Sequence, residues 1–164
     1  MLFRSGELAD GDKVLIYNAG STMAVTSTLK SNYYLEGKSF TTETVSENLI
    51  IAATPQDAAV SEWTVKVNED GTYTFTQDTK TLAGKQNTVN GSVKNNLTLS
   101  GEDCATWTLN TCNEANKSFY VYNPGMTSKY ESDGGHVYLE WYANYSEYSL
   151  YDTSRISEGA FGMT

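Results

Sequence analysis

Residues Glu62–Phe75 read EWTVKVNEDGTYTF. Trp63, Val65 and Val67 alternate with polar residues, Asn68-Glu69-Asp70-Gly71 follows, and Tyr73 and Phe75 alternate again. Side chains on a strand alternate between faces, and Asp-Gly between two such runs marks a hairpin turn. An echo follows in Thr106–Val121, TWTLNTCNEANKSFYV. Trp63 matches Trp107, Val65 matches Leu109, and Asn68-Glu69 matches Asn113-Glu114. One hairpin written twice in a small chain indicates an internally repeated fold.

Working outward, the chain divides into three units at about residues 11–68, 69–113 and 114–164. In the first, Lys13–Tyr17 reads as a strand, Asn18–Ser21 as a turn and Met23–Thr26 as the return strand. Ser27–Gln56 reads as a long loop holding one strand at Asn48–Ala53, and Ala58–Val60 fits a helical turn. In the second unit, Thr72–Thr76, Thr81–Gly84, Asn96–Leu99 and Ala105–Asn110 read as strands, with Asn87–Lys94 a polar loop. In the third, the strands are Ser118–Tyr122, Val137–Tyr142, Glu147–Tyr151 and Ala160–Met163. Phe161 then stands in the place of Trp63 and Trp107. The expected core is Val14, Ile16, Trp63, Val65, Tyr73, Phe75, Leu97, Trp107, Leu109, Phe119, Val121, Leu139 and Phe161.

The 164 residues suit one domain with one core. Aromatics reach 12% with 12 tyrosines, and prolines number 2. Strand-forming aromatic and β-branched residues, with turn-forming Gly and Asn, point to an all-β fold with almost no helix. The formal net charge of −9 disfavours nucleic acid and anionic membranes as partners and favours solubility. No run of 18 apolar residues exists to form a membrane-spanning helix. Met1–Gly6 is too short for a signal peptide.

Three four-strand units with Trp-led fourth strands resemble the β-trefoil, and in particular the ricin-B-like lectin family. The resemblance covers nearly the whole chain and implies a barrel with three capping hairpins and pseudo-threefold symmetry. The alternative architecture is a β-sandwich. Sugar-binding members of that family carry Gln two residues before the fourth-strand Trp. Here those positions are Ser61, Ala105 and Gly159, so no binding residue is carried over from the lectins. The phrases GDKVLIYN, EWTVKVNEDGTYTF and EGAFGMT also resemble modules of secreted multidomain Firmicute proteins. That resemblance implies a non-catalytic accessory module on the bacterial cell surface or outside the cell.

Catalytic signals are sparse. His136 is the single histidine, with no nucleophile elbow or metal-ligand spacing beside it. Glu140 and Asp152 form the nearest carboxylate pair in unit three, a pairing that 20 acidic residues produce by chance. Asp10-Gly11-Asp12 and Asn68-Glu69-Asp70 offer oxygen ligands for Ca²⁺, yet turn chemistry explains both more simply. No enzyme, metal or cofactor is expected. Cys104 and Cys112 flank an extended run spanning about 26 Å. A disulfide needs Cα atoms within about 7 Å, so no bridge is expected.

The aromatic run Tyr130–Tyr151 is the functional lead. In VYLEWY, Val137, Leu139 and Trp141 share the inner face and Tyr138, Glu140 and Tyr142 the outer one. Tyrosine rings pack on the C–H face of a sugar, and carboxylates and amides bind its hydroxyls. Tyr138, Glu140, Tyr142 and the nearby Asn144 are therefore the candidate glycan-binding residues. The competing reading has these tyrosines seal the fold or dock a neighbouring domain of a parent chain, giving a structural or protein-interaction module.

Overall fold

A computed structural model of the protein describes residues 8–40, 43–45, 48–50, 61–115 and 117–164. Strand accounts for 54% and helix for 5%, in curled antiparallel sheets, so the fold is all-β as the composition indicates. In unit one the strands are β1 (Lys13–Val14), β2 (Tyr17–Asn18), β3 (Met23–Lys30), β4 (Tyr34–Ser39), β5 (Glu43–Val45), β6 (Asn48–Ile50) and β7 (Trp63–Val67). Unit two holds β8 (Tyr73–Gln77), β9 (Lys80–Thr81), β10 (Ala83–Val89), β11 (Ser92–Thr98) and β12 (Thr108–Asn113). Unit three holds β13 (Ser118–Tyr122), β14 (His136–Tyr142), β15 (Glu147–Thr153), the one-turn helix α1 (Glu158–Phe161) and β16 (Gly162–Met163).

The pairings run in sequence around the molecule. β1 pairs with β7, and β7 with β8. Tyr73 bridges Trp107, with both backbone bonds at 2.8 Å. β12 pairs with β13, and β13 with β16. Tyr17 and Thr164 then exchange backbone bonds of 3.0 and 2.8 Å, which returns the path to β2. Three hairpins project from this path: β3 with β4, β10 with β11, and β14 with β15. They meet each other, through Tyr148 opposite Leu35 and a bond of 2.9 Å from the Leu97 N–H to the Tyr33 carbonyl.

The repeat is visible in register. Val14 lies opposite Trp63, Tyr73 opposite Trp107, and Phe119 opposite Met163. The Trp63 indole donates to the Val25 carbonyl at 3.1 Å, and the Trp107 indole to the Leu82 carbonyl at 2.9 Å. Met163, not Phe161, therefore occupies the third aromatic position. An unbranched thioether can fill an indole-sized gap, although it brings no N–H donor. Phe161 instead ends α1 and packs against Tyr138 and Tyr151, with ring centroids 6.0 and 6.4 Å away. The expected final strand Ala160–Met163 is thus half helix.

Most of the expected core is buried together: Ile16, Trp63, Val65, Phe75, Leu97, Trp107, Val121 and Leu139 belong to one cluster. Val14, Tyr73 and Leu109 sit at its margin. Phe119 is half-buried and lines a cavity of about 50 Å³ with Ile16, Phe75, Val121 and Met163. Leu35, Leu82, Tyr148 and Leu150 complete the cluster from the hairpins.

Two expected loops are ordered differently. Ser27–Gln56 is not one long loop, because β3 continues to Lys30 and β4 returns at Tyr34. The polar stretch Asn87–Lys94 is the tip of the β10–β11 hairpin. Asn90 (φ 51°) and Gly91 (φ 78°) both take the left-handed conformation that a two-residue hairpin turn requires. The reading of Ala58–Val60, and the 51–53 end of the expected Asn48–Ala53 strand, lie outside the described residues. Cys104 and Cys112 are both free thiols. The Cys104 thiol faces the Gly125 carbonyl at 3.4 Å, while Cys112 hydrogen-bonds Tyr120.

Candidate functional site

Strand β14 alternates as its sequence dictates. Val137, Leu139 and Trp141 are buried on the inner face. Opposite them in β15, the outer residues are matched as Tyr138–Tyr151, Glu140–Ser149 and Tyr142–Glu147. The Tyr148–Leu35 pair, on the inner face with Trp141, joins β15 to β4, so the adjacent Tyr34 falls on the outer face, and the Lys30–Tyr34 pair carries that face to β3.

The four predicted site residues meet different fates on that face. Tyr138 is 5% exposed, covered by Phe161 and hemmed in by Tyr120, Tyr122 and His136. Burial, and then Tyr122, push its phenol pKa up. Tyr138 is therefore a packing residue and not an open platform. The alternation rule put it on the correct face, but the helical turn ending at Phe161 roofs that end of the sheet. His136 stacks on Tyr122 with centroids 4.1 Å apart, which accounts for its half-buried position.

Glu140 is half-buried, and its Oε1 accepts a 2.7 Å hydrogen bond from the Ser149 hydroxyl. Burial raises its pKa above the ordinary 4.5, and the Ser149 bond offsets part of the rise. No cation pairs with it among the described residues. Below about pH 4.5 both folded and unfolded states hold the proton. As pH climbs through the raised folded value the unfolded state sheds its proton first, so this carboxylate lowers stability at neutral pH. Glu140→Gln keeps an acceptor for Ser149 and removes the charge. It is expected to raise the melting temperature near pH 7 and leave it unchanged near pH 4; an identical increment at both would contradict the charge argument.

Tyr142 is 39% exposed and Tyr145 63%, their rings 5.2 Å apart at 61°. Asn144 is exposed in the turn between them. Two residues absent from the sequence-derived site join here from unit one. Tyr33 is 48% exposed and meets Tyr34 edge-on at 6.2 Å. The Tyr34 phenol pKa is pushed up by burial first, then by Glu147, Tyr145, Tyr33 and Tyr142. Lys30 ties the two hairpins by hydrogen-bonding the Tyr145 carbonyl and reaching Glu147 Oε2 at 3.7 Å. Glu147 is itself 7% exposed, so this pair fixes geometry. The adjacent Tyr33-Tyr34 was the available signal in sequence, but without visible alternation around it no face could be assigned.

Elsewhere, the expected catalytic and calcium alternatives are dispersed. Asp152 lies opposite Val137, on the sheet face away from Glu140, and accepts from the Ser128 hydroxyl and the Lys129 N–H. Asp10 accepts from the Val67 N–H, Asp12 from Ala9, and Asp70 from Thr72 through backbone and hydroxyl. The Thr72 bonds hold the Asp70 carboxyl below its usual pKa, as turn chemistry does. Among the described residues no group of three or more His, Cys, Asp or Glu is placed to hold a metal. A cleft of about 370 Å³ lies between unit two and the Asn123–Gly125 turn, lined by Lys85, Gln86, Glu102, Asp103 and Cys104. Its charges are partly spent, with Lys85 3.5 Å from Asp103 and Gln86 clamped on Thr127 at 2.8 and 3.1 Å.

No protein-family model matches the chain, and no curated protein matches it. Its functional reading therefore rests on its own residues.

Proposed function

We propose that the chain is a non-catalytic carbohydrate-binding module built as a β-trefoil, with its sugar platform where the first and third hairpins meet. The trefoil reading is supported by the path of pairings that returns to its start and by the three matched pairs ending in Trp63, Trp107 and Met163. The site reading is carried by one observation: the Tyr33–Tyr34 and Tyr142–Tyr145 pairs, from separate units, are joined through Lys30, which lies opposite Tyr34, bonds the Tyr145 carbonyl and reaches Glu147. Exposed tyrosines gathered on a fixed frame offer stacking faces at little entropic cost, with hydroxyl donors at the rim. Glu140 and Asn144 retain their proposed role as polar groups beside this platform, and Tyr138 is reassigned to packing. The composition and the GDKVLIYN and EGAFGMT phrases support the wider setting we propose, an accessory module of a secreted or surface-attached bacterial protein.

An open site of this kind binds weakly, with millimolar affinity worth about −4 kcal/mol. Such affinity becomes useful when a tether keeps a partner enzyme near a polymeric substrate. A glycan array and polysaccharide pull-down test the reading. A hit is expected whose binding falls at least tenfold in Tyr142→Ala and Tyr145→Ala, with the melting temperature unchanged. Tyr138→Ala, in contrast, is expected to lower the melting temperature. Absence of any bound glycan would overturn the proposal and leave protein docking as the use of this surface.

A further inference from the structure

We propose, resting on the glycan-binding reading above, that the preferred ligand is a cationic amino sugar: a glucosamine-type residue bearing a free ammonium group. The decisive feature is Glu140. Its carboxylate is half-buried on the same face as Tyr142, two residues along the strand and therefore about 7 Å away. One of its oxygens is held by Ser149 at 2.7 Å, and no Lys or Arg neutralises it among the described residues. The neighbouring Glu147 is different, because Lys30 already answers its charge. Glu140 is thus a negative charge fixed by Ser149 and without a cationic partner among the described residues, on the same strand face as Tyr142, whose ring attracts cations.

A neutral sugar on Tyr142 offers Glu140 only hydroxyl donors. An ammonium on the same ring offers a charge-assisted hydrogen bond, roughly twice as strong as a neutral one, and relieves the desolvated carboxylate. Burial raises the pKa of Glu140, with the Ser149 bond offsetting part of the rise. The overall balance of 20 acidic to 11 basic residues steers a cationic polymer toward the domain as a whole. Specificity is then the part contributed by Glu140 alone.

The test compares a β-1,4-linked glucosamine tetramer with its fully N-acetylated counterpart by calorimetric titration at near-neutral pH. The glucosamine tetramer is expected to bind at least tenfold tighter, about 1.4 kcal/mol, with the advantage shrinking as salt is added. Glu140→Gln should abolish the preference while still binding the acetylated tetramer, and Tyr142→Ala should weaken both. Glu69→Gln, an exposed charge in a distant turn, should keep the preference. Equal affinity for the two tetramers, or a preference that survives Glu140→Gln, overturns the amino-sugar assignment and leaves the glycan platform standing. Loss of the preference in Glu69→Gln as well would mean diffuse attraction and also overturns it. Binding of neither tetramer, nor of any other glycan, sinks the platform itself.

Discussion

Trp107→Ala is expected to destabilise the domain by about 3–5 kcal/mol. The indole is fully buried in the central cluster, and its N–H occupies the Leu82 carbonyl at 2.9 Å. Truncation leaves a cavity and an orphaned carbonyl together. For a domain whose total stability is of order 5–15 kcal/mol, that is about a fifth or more. Urea unfolding should show the midpoint fall with little change in slope, and the melting temperature should drop by roughly 6–20 °C. Trp107→Phe keeps a six-membered ring but loses the bond and part of the volume, so it should cost less than the Ala change and still at least about 1–3 kcal/mol for the bond. Met163→Leu at the matching third position breaks no polar bond and should cost less than about 1.5 kcal/mol. A Trp107→Ala protein as stable as the parent would contradict the equivalence of these positions.

The second large effect is expected from adding a single methyl group. A Cβ at Gly37 would sit 2.4 Å from Trp141 Cζ3 and 2.9 Å from Cη2. The indole cannot retreat easily. It packs against Tyr148 at 5.0 Å, and the Tyr148 hydroxyl is fixed on the Met23 carbonyl at 2.6 Å. Gly37→Ala is expected to cost about 1–3 kcal/mol through overpacking. In a Trp141→Leu background the same change should cost well under 1 kcal/mol, a coupling measurable by a double-mutant cycle. Equal costs in both backgrounds would mean that the first and third hairpins do not meet as described.

These two sites differ in how far the sequence shows them. The Glu62–Phe75 hairpin was legible because alternation and turn chemistry agree there, and Gly71 takes the positive φ that its turn needs. The tryptophans were legible because large aromatics on alternating strands seldom face water. The third member of that set was not, because Met163 resembles no aromatic while Phe161, two residues earlier, does. Register alone settles which of them faces inward. Gly37 and Trp141 lie 104 positions apart in units whose packing no local pattern describes. The same holds for the candidate site. Alternation put Tyr138, Glu140 and Tyr142 on one face, but which end is roofed depends on α1, and which tyrosines join depends on a strand, β4, that carries little periodic signal.

The bonds between Tyr17 and Thr164 have a kinetic consequence. They join residues 147 positions apart, and the path of pairings is incomplete until they form. Closing so long a loop is entropically costly before any contact compensates, and chains dominated by distant pairings fold in milliseconds to seconds rather than microseconds. Each local hairpin can form early, and Trp63 and Trp107 find partners upstream, yet the path closes only when the last strand arrives. During synthesis, therefore, Ile16 and Phe75 lack the cover of Val121 and Met163 until the third unit has emerged. Over that interval the Tyr17 backbone groups that Thr164 later bonds depend on slow translation, a chaperone or the acidic charge of the chain to stay unpaired with other molecules.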